Sequence, residues 1–196
     1  VGTQMLAKGH HFANITLVAV LDADSGLFSP DFRSHERLGQ LLTQVAGRSG
    51  RGKMAGRVIL QSHQPDHPLL EVLTQQSYSD YSKLLRKQRK QAELPPFKQL
   101  VLIRADAAHA QNAEAFLQSA RQCAEAIFPS GEKVNYLGPL PALMERRNSR
   151  HRYVLQVSGG RRSDLNFLLS QLVFDLEKLP MARHVRWGVD VDPQEL

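Results

Sequence analysis

Cysteine is almost absent from this sequence. Cys123 is the one cysteine among 196 residues, so the chain can form no internal disulfide and no zinc site built from paired cysteines. This cysteine content is typical of a reducing compartment, and we expect the protein to be cytoplasmic.

Long apolar runs and a secretory leader are also lacking. No stretch approaches the roughly 20 consecutive apolar residues that a transmembrane helix needs. Residues 1–9 have neither the basic start nor the apolar middle of a signal peptide. Because 42% of the residues are hydrophobic, we expect a real core, no membrane partner, and one large domain or two small ones.

The charge balance is basic. The net charge is +6 and the pI is near 9.7, which favours a polyanionic partner. The first local basic run contains Lys83, Arg86, Lys87, Arg89 and Lys90. This run either complements the dipole of a helix C-terminus or contacts the backbone of DNA.

A strand–helix–strand pattern occupies the first third of the chain. Residues 15–21 and 56–61 are apolar and β-rich, which predicts two strands buried on both faces of a parallel sheet. Residues 34–46 have apolar side chains at helical spacing, with Ser34 as the expected N-cap. A sheet of two strands is too small to bury these apolar side chains, so we expect the rest of the sheet to lie outside this sequence.

Polar residues follow these elements where ligands bind in α/β proteins. Asp22 and Asp24 come directly after the first strand, at its carboxyl end. The helix is followed by a Q-x-x-G-R-x-G-R run that contains Gln44, Arg48 and Arg51. The glycines permit a sharp turn, and guanidinium groups can hold phosphate oxygens bidentately. The alternative interpretation of the run is a solvated basic end of the helix.

The remaining sequence divides into a helical connector and an α+β domain. Residues 67–94 predict helices with a break near 77–79, and Pro95 and Pro96 mark a domain boundary. Over 95–196 we predict the order βαββαβ, a split-βαβ or ferredoxin-like arrangement. Its strands are expected over 98–105, 133–137, 153–157 and 185–191, and its helices over 107–128 and 163–178. Residues 1–66, which precede the connector, then form the first part of this α/β chain.

The segment 141–152 is predicted to be a long basic loop of this last domain. Its cationic residues are Arg146, Arg147, Arg150, His151 and Arg152, against one acid, Glu145. Such a loop on a rigid sheet can track a phosphate backbone, so we predict that these four arginines bind DNA. Tyr153 either stacks on an unpaired base or belongs to the core.

Several exact strings carry a resemblance to a known family. They are G-T-Q-M-L-A-K-G-H-H-F at 2–12, L-D-A-D at 21–24, T-Q-V-A-G-R-S-G-R at 43–51, L-P-P-F at 94–97 and D-V-D-P at 190–193. With them the chain resembles the second motor lobe of superfamily 2 DNA helicases and, more narrowly, the bacterial replication-restart helicases of the PriA (primosomal protein N′) family. The similarity covers nearly the whole chain. Ala13 departs from the family, which usually has proline there.

The resemblance implies roles for residues near a nucleotide. Gln44, Arg48 and Arg51 would face ATP bound by the other lobe, and the arginines would stabilise charge on the γ-phosphate during hydrolysis. Gly9 and His11 would lie in the turn that joins the DNA site to the nucleotide site. Many helicases of this superfamily have aspartate at the place of His11.

The resemblance also implies contacts with macromolecules. Gly2, Thr3 and Lys8 would contact the DNA backbone. Arg161 and Arg162 would bind the acidic C-terminal tail of single-stranded DNA-binding protein. Primosome proteins and the N-terminal part of the same helicase would be further partners.

The expected function follows from these roles. The chain would be the C-terminal portion of an ATP-dependent 3′→5′ DNA helicase that restarts stalled replication forks, with a partial RecA-like second lobe at its start. ATP and Mg²⁺ would be bound mainly by the N-terminal part, and zinc would belong to the parent protein, so we expect no metal site and no activity in this chain alone. The alternative is a stand-alone DNA-structure-binding module. The helicases that the chain resembles end in a domain comparable to a small ribosomal-protein fold, so a third, weaker hypothesis is a ribosomal or RNA-binding protein. It would require tight RNA binding by 95–196 alone.

Overall fold

The computed structural model describes residues 16–47 and 57–196. It is a mixed α/β structure, as the sequence predicts, and divides into two compact units, one reaching to Gln88 and one formed by Arg89–Leu196. Predictions that concern residues 1–15 and 48–56 lie outside the described residues.

A two-stranded parallel sheet opens the first unit. β1 (Leu17–Val20) pairs in parallel with β2 (Arg57–Leu60), which confirms the predicted parallel pairing. Val18, Val20, Val58 and Leu60 pack against the hydrophobic core of the unit, whereas Leu17 is 55% exposed and Ile59 43%. The prediction that both strands are buried on both faces is therefore wrong for the described residues, because only alternate side chains reach the core.

The helix of the crossover begins and ends where the sequence predicts. After the short helix α1 (Asp24–Leu27), α2 runs over Ser34–Ala46, and Leu38, Leu42 and Val45 are buried. The prediction that Ser34 is the N-cap is wrong, since Arg33 holds that position and Ser34 is the first helical residue. The first N–H groups of a helix have no acceptor within the helix, and Asp31 supplies acceptors at the start of α2. Its Oδ1 accepts from the Arg33 N–H at 3.0 Å, and its carbonyl accepts from the Ser34 N–H at 2.9 Å.

Two further helices complete the first unit and confirm the predicted break. They are α3 (Pro68–Gln75) and α4 (Tyr78–Gln91). Tyr81 of α4 is fully buried, and its hydroxyl donates to the His35 carbonyl of α2 at 2.7 Å. Burial raises the pKa of Tyr81 to about 12. Gly39 lets the ring approach the α2 backbone, because a Cβ there would lie 2.9 Å from Tyr81 Cδ1 and closer still to Cε1.

The second unit has the predicted order βαββαβ. Its elements are β3 (Gln99–Ala107), α5 (Ala110–Ile127), β4 (Val134–Arg147), β5 (Arg150–Gly159), α6 (Arg162–Lys178), a short 3-10 helix (Pro180–Arg183) and β6 (Arg186–Val191). The sheet order is β4-β5-β3-β6, with antiparallel neighbours throughout. The core contains Val101 and Ile103 of β3, Phe116 of α5, Leu155 of β5 and Leu168 of α6.

A β-hairpin replaces the predicted basic loop. β4 does not stop before Gly138 but continues to Arg147, and β5 starts at Arg150. Asn148 and Ser149 have φ of 50° and 59°, as the two central residues of a tight hairpin turn require. The β4–β5 pairing shifts register between Leu137 and Leu140 and again between Pro141 and Arg146. These irregularities accommodate the prolines, and the hydrogen-bonded pairing of the two strands resumes after them.

We predict that Gly39→Ala destabilises the first unit by about 1–3 kcal/mol. The added methyl group would overlap the Tyr81 ring, and the hydrogen bond from the Tyr81 hydroxyl to the His35 carbonyl holds that ring against α2. This loss outweighs the roughly 1 kcal/mol that alanine gains over glycine in a helix. Urea unfolding followed by circular dichroism measures the change.

Gly47→Ala is the matched control for this substitution. Gly47 follows α2 with φ of −67°, and a Cβ there would make only ordinary contact, at 3.4 Å from the Thr43 carbonyl oxygen. We expect the control to be neutral or slightly stabilising. Equal stability of Gly39→Ala and the wild type would show that Tyr81 does not fix the approach of α2 and α4.

Candidate nucleic-acid interface

Strand register gathers arginines on one face of the second unit's sheet. Val101, Ile103, Ala105 and Ala107 of β3 are buried in the core with α5 and α6, so the residues between them point to the opposite face. On that face Asp106 lies opposite Arg152 of β5 and Arg186 of β6.

We call this surface the arginine face. It consists of Arg104, Arg147, Arg150, Arg152 and Arg186. Arg150 and Arg152 are two residues apart on β5, and Arg147 lies opposite Arg150 across the hairpin. All of these positions therefore share one side of the sheet.

Two of the arginines are neutralised by carboxylates. Arg104 Nη2 donates to Asp190 Oδ2 at 3.0 Å. Arg150 Nη2 donates to the Asp106 carbonyl at 2.9 Å, and its Nε lies 3.3 Å from Asp106 Oδ1. That last pair attracts as ions but is too poorly aligned to count as a hydrogen bond.

The other three guanidinium groups keep their charge available. Within the part of the chain that the structure describes, Arg147, Arg152 and Arg186 have no carboxylate within ion-pair distance. Guanidinium groups without internal acids are suited to phosphate oxygens, which they contact bidentately. The arginine face therefore has the chemistry of an anion-binding surface.

Two depressions lie along the arginine face. One is a cleft of 230 Å³ whose lining includes Arg104, Arg152 and Arg186 together with Ala142, Val154 and Gly188. The other is lined by Arg147, Arg150, Arg152 and Arg186, with Asp106 and Asn148. Asp106, Arg152 and Arg186 line both, so the two depressions adjoin, and we call them together the basic groove.

The structure separates the predicted loop arginines. Arg147, Arg150 and Arg152 lie together, whereas Arg146 pairs in register with His151, on the side of the sheet that carries α5 and α6. Tyr153 also lies on that side and packs against the core. Sequence reasoning missed Arg104 and Arg186, although the alternation of the last strand already places Arg186 two residues from Gly188 and four from Asp190, on one face.

Arg161 and Arg162 lie at the start of α6, and both are exposed. Arg162 Nη2 donates to Asp192 Oδ2 at 3.2 Å, and Arg161 Nε lies 4.0 Å from Asp164 Oδ2. Exposed pairs of this kind are weak, so both side chains can exchange their own carboxylate for that of a partner. Their predicted binding to an acidic tail stays a prediction.

In the first unit, Asp24 holds the carboxyl ends of both strands together. Its carboxylate accepts from the Ser62 hydroxyl at 2.5 Å, the His63 N–H at 2.9 Å and the His63 Nδ1 at 2.7 Å. These hydrogen bonds, that of Ser62 first, lower the pKa of Asp24 to about 2. Asp22 is used locally, as its Oδ1 accepts from the Ser25 N–H at 3.2 Å. Both aspartates thus bond to their own chain.

The predicted nucleotide site is only partly described. Gln44 is exposed on the last turn of α2. Seven further residues of the predicted nucleotide and DNA sites lie outside the described residues: Gly2, Thr3, Lys8, Gly9, His11, Arg48 and Arg51.

In the predicted basic run that begins at Lys83, the Lys83 amine pairs with the Asp80 carboxylate at 2.9 Å.

Within residues 16–47 and 57–196, no helix is both long and apolar enough to cross a bilayer. The same residues contain no group of three or more histidine, cysteine, aspartate or glutamate side chains placed to hold a metal ion.

Comparison with known proteins gives consistent matches. The sequence model of the family described as "Primosomal protein N C-terminal domain" matches residues 90–194. Replication restart protein PriA of Haemophilus influenzae is 42% identical over 196 residues, which is all of this chain and 26% of that protein. The proteins of the same name from Synechocystis and Bacillus subtilis are 37% and 33% identical over 98% of this chain, and over 22% and 24% of their own lengths. The chain thus spans about a quarter of each relative.

We predict that the Asp24 cluster makes the stability of the first unit depend on acid pH. The pKa of Asp24 is about 2 in the folded state and about 3.9 in an unfolded chain. The stabilisation is therefore complete above pH ~4 and is lost as the pH falls through the folded value. Urea midpoints measured between pH 6 and pH 2 should decline for the wild type.

Asp24→Asn should flatten this decline and lower the midpoint at neutral pH, because an amide is a weaker acceptor than a carboxylate. Asp22→Asn is the matched control, since that residue follows the same strand without the Ser62 and His63 bonds, and it should keep the wild-type profile. An unchanged profile in Asp24→Asn would contradict the assignment.

Proposed function

The chain belongs to the PriA family of replication restart proteins and matches its C-terminal part, and we propose that it is the C-terminal portion of an ATP-dependent 3′→5′ DNA helicase that restarts stalled forks and helps to assemble the primosome. Because the chain spans about a quarter of its relatives, we propose that motor activity requires further parts of the parent protein and that this chain alone is inactive as an ATPase.

We propose that residues 1–66 complete the second RecA-like lobe. The parallel β1–β2 pair with its α2 crossover supports this proposal, since such sheets are built from repeated parallel units. Leu17 and Ile59 leave an apolar surface on the outer face of the pair, as expected where further protein covers a sheet.

Catalysis would then take place at the C-terminal end of α2. Gln44, Arg48 and Arg51 would meet ATP and Mg²⁺ held mainly by the N-terminal part, with Gly9 and His11 beside them. The arginines would stabilise the charge that develops on the γ-phosphate. Zinc would remain in the parent protein outside this chain.

The arginine face would bind the DNA backbone, and the clustering of its arginines is the single observation that best supports a nucleic-acid function. It unites residues from β3, β4, β5 and β6 on a rigid sheet, with the charges of Arg147, Arg152 and Arg186 unpaired within the described residues. Gly2, Thr3 and Lys8 would add backbone contacts at the motor. Such contacts position DNA without reading its sequence.

Protein partners would bind elsewhere. Arg161 and Arg162 would receive the acidic tail of single-stranded DNA-binding protein, and primosome proteins would join at the fork. With such partners, the proposed location of the protein is the cytoplasm.

A second candidate function is a stand-alone module that binds DNA structures. The location of the whole arginine face within Arg89–Leu196 favours it, because a compact unit can bind DNA without a motor. The two candidates differ in whether ATP hydrolysis depends on this chain.

We predict that this chain, mixed with the N-terminal remainder of its parent, restores DNA-stimulated ATP hydrolysis, and that Arg51→Ala lowers the rate by a factor on the order of 10³ or more. Arg57→Ala, at the start of β2, is the matched arginine control and should stay active. A mutant rate equal to the wild type would rule out the arginine finger, and no stimulation by the wild type would favour the stand-alone module.

We predict that Arg147→Ala combined with Arg152→Ala weakens binding of the full chain to forked DNA. The slope of log K against log salt should become shallower by about 2, since each lost phosphate contact removes about one unit. Fluorescence anisotropy titrations at several salt concentrations measure the slope.

Arg146→Ala is the control on the same hairpin. Arg146 neighbours Arg147 in sequence but lies on the other side of the sheet, so its loss should leave the slope within a few tenths of the wild type. An equal effect of Arg146→Ala would show that the hairpin tip, and not the arginine face, contacts DNA.

A further inference from the structure

The cleft on the arginine face combines positive charge with an apolar floor. Its lining includes Arg104, Arg152 and Arg186, the carboxylate of Asp106, and the small or apolar residues Ala142, Val154 and Gly188. Arg104 lies between Val154 and Gly188 in one cross-strand row, and Asp106 lies between Arg152 and Arg186 in the next. Its volume is about 230 Å³. Phosphate binding alone requires neither this room nor an apolar floor, so the cleft fits an anion that carries a flat apolar group.

Gly188 creates the open space. It lies in the middle of β6, opposite Arg104 of β3, and a Cβ built there would meet no heavy atom within 4 Å. Packing within the described residues therefore does not demand glycine. Glycine weakens a strand interior, and its use there often marks the close approach of a ligand.

Among the described residues, some of the arginines around Gly188 are paired with carboxylates, and others are not. Asp190 holds the Arg104 guanidinium at 3.0 Å, which fixes a planar cation at the edge of the floor. Arg152 and Arg186 lie on either side of Asp106 in the neighbouring cross-strand row. Since Asp106 pairs with Arg150, these two guanidinium groups are available to an incoming phosphate.

We infer that this cleft binds one unpaired nucleotide of a single strand, with its base on the floor formed by Val154, Arg104 and Gly188 and its phosphate on the guanidinium groups of Arg152 and Arg186. The inference rests on the proposed DNA binding and deepens it by naming the form of DNA. A base within a duplex is stacked and paired and cannot enter the cleft, whereas a base in a single strand is free to do so.

Filling the cleft without changing its charge tests the inference. Gly188→Val places a side chain in the open space and suits a strand. The full chain is titrated with a single-stranded oligothymidylate and with a strand of the same length and backbone whose bases are removed. The wild type should bind the base-bearing strand on the order of tenfold more tightly, and Gly188→Val should bind both strands as the wild type binds the abasic one.

Two further variants serve as controls for Gly188→Val. Gly160→Val is the matched control, because a Cβ at Gly160 also meets nothing within 4 Å and the residue is not in the cleft lining, so the preference should remain. Gly188→Ala adds only that unopposed Cβ, so it keeps the fold and should reduce the preference by a smaller factor. Circular dichroism verifies folding.

The outcomes separate this inference from the proposed function. Equal binding of both strands by the wild type, or an unchanged preference in folded Gly188→Val or Gly188→Ala, overturns the nucleotide site while leaving DNA binding by the arginine face intact. A chain that binds neither strand overturns both.

Discussion

The antiparallel register of β3 with its two neighbours is the constraint on which the second unit depends. The ladder that aligns Val101 and Ile103 with Val157 and Leu155 also aligns Asp106 with Arg152 and Arg186. A slip of one residue would exchange the faces, burying arginines beneath α5 and exposing the core. The hydrogen bonds that build the hydrophobic core therefore also assemble the basic groove, and neither can change alone.

The two units leave opposite kinds of surface uncovered. In the first, Tyr81 against Gly39 fixes the helices on one side of the β1–β2 pair, and the other side keeps exposed Leu17 and Ile59. In the second, the sheet face away from α5 and α6 carries arginines. An apolar surface is satisfied by protein, and a basic one by a polyanion. This contrast fits a polypeptide in which one part completes a larger domain and the other contacts nucleic acid.

Local patterns were sufficient for most elements and insufficient for the site. The helix over 34–46, the break near Ser77 and the order βαββαβ follow from periodicity and turn residues, which act over a few positions. The hairpin was missed because Gly138, Pro139 and Pro141 resemble strand breakers, whereas bulges carry the ladder past them. Arg104 and Arg186 are far apart in sequence, and only strand pairing brings them beside Arg152. The roles of Arg48 and Arg51 stay predictions.

The irregular course of β4 has a consequence for solubility. β4 forms one outer edge of the sheet and exposes Leu137, Leu140, Leu143 and Met144, a composition that invites another chain to add a strand. Pro139 and Pro141 offer no amide hydrogens, and the register shifts beside them bend the edge. A docking strand would find its hydrogen-bond template interrupted, so this border can remain apolar without seeding intermolecular sheets and filaments.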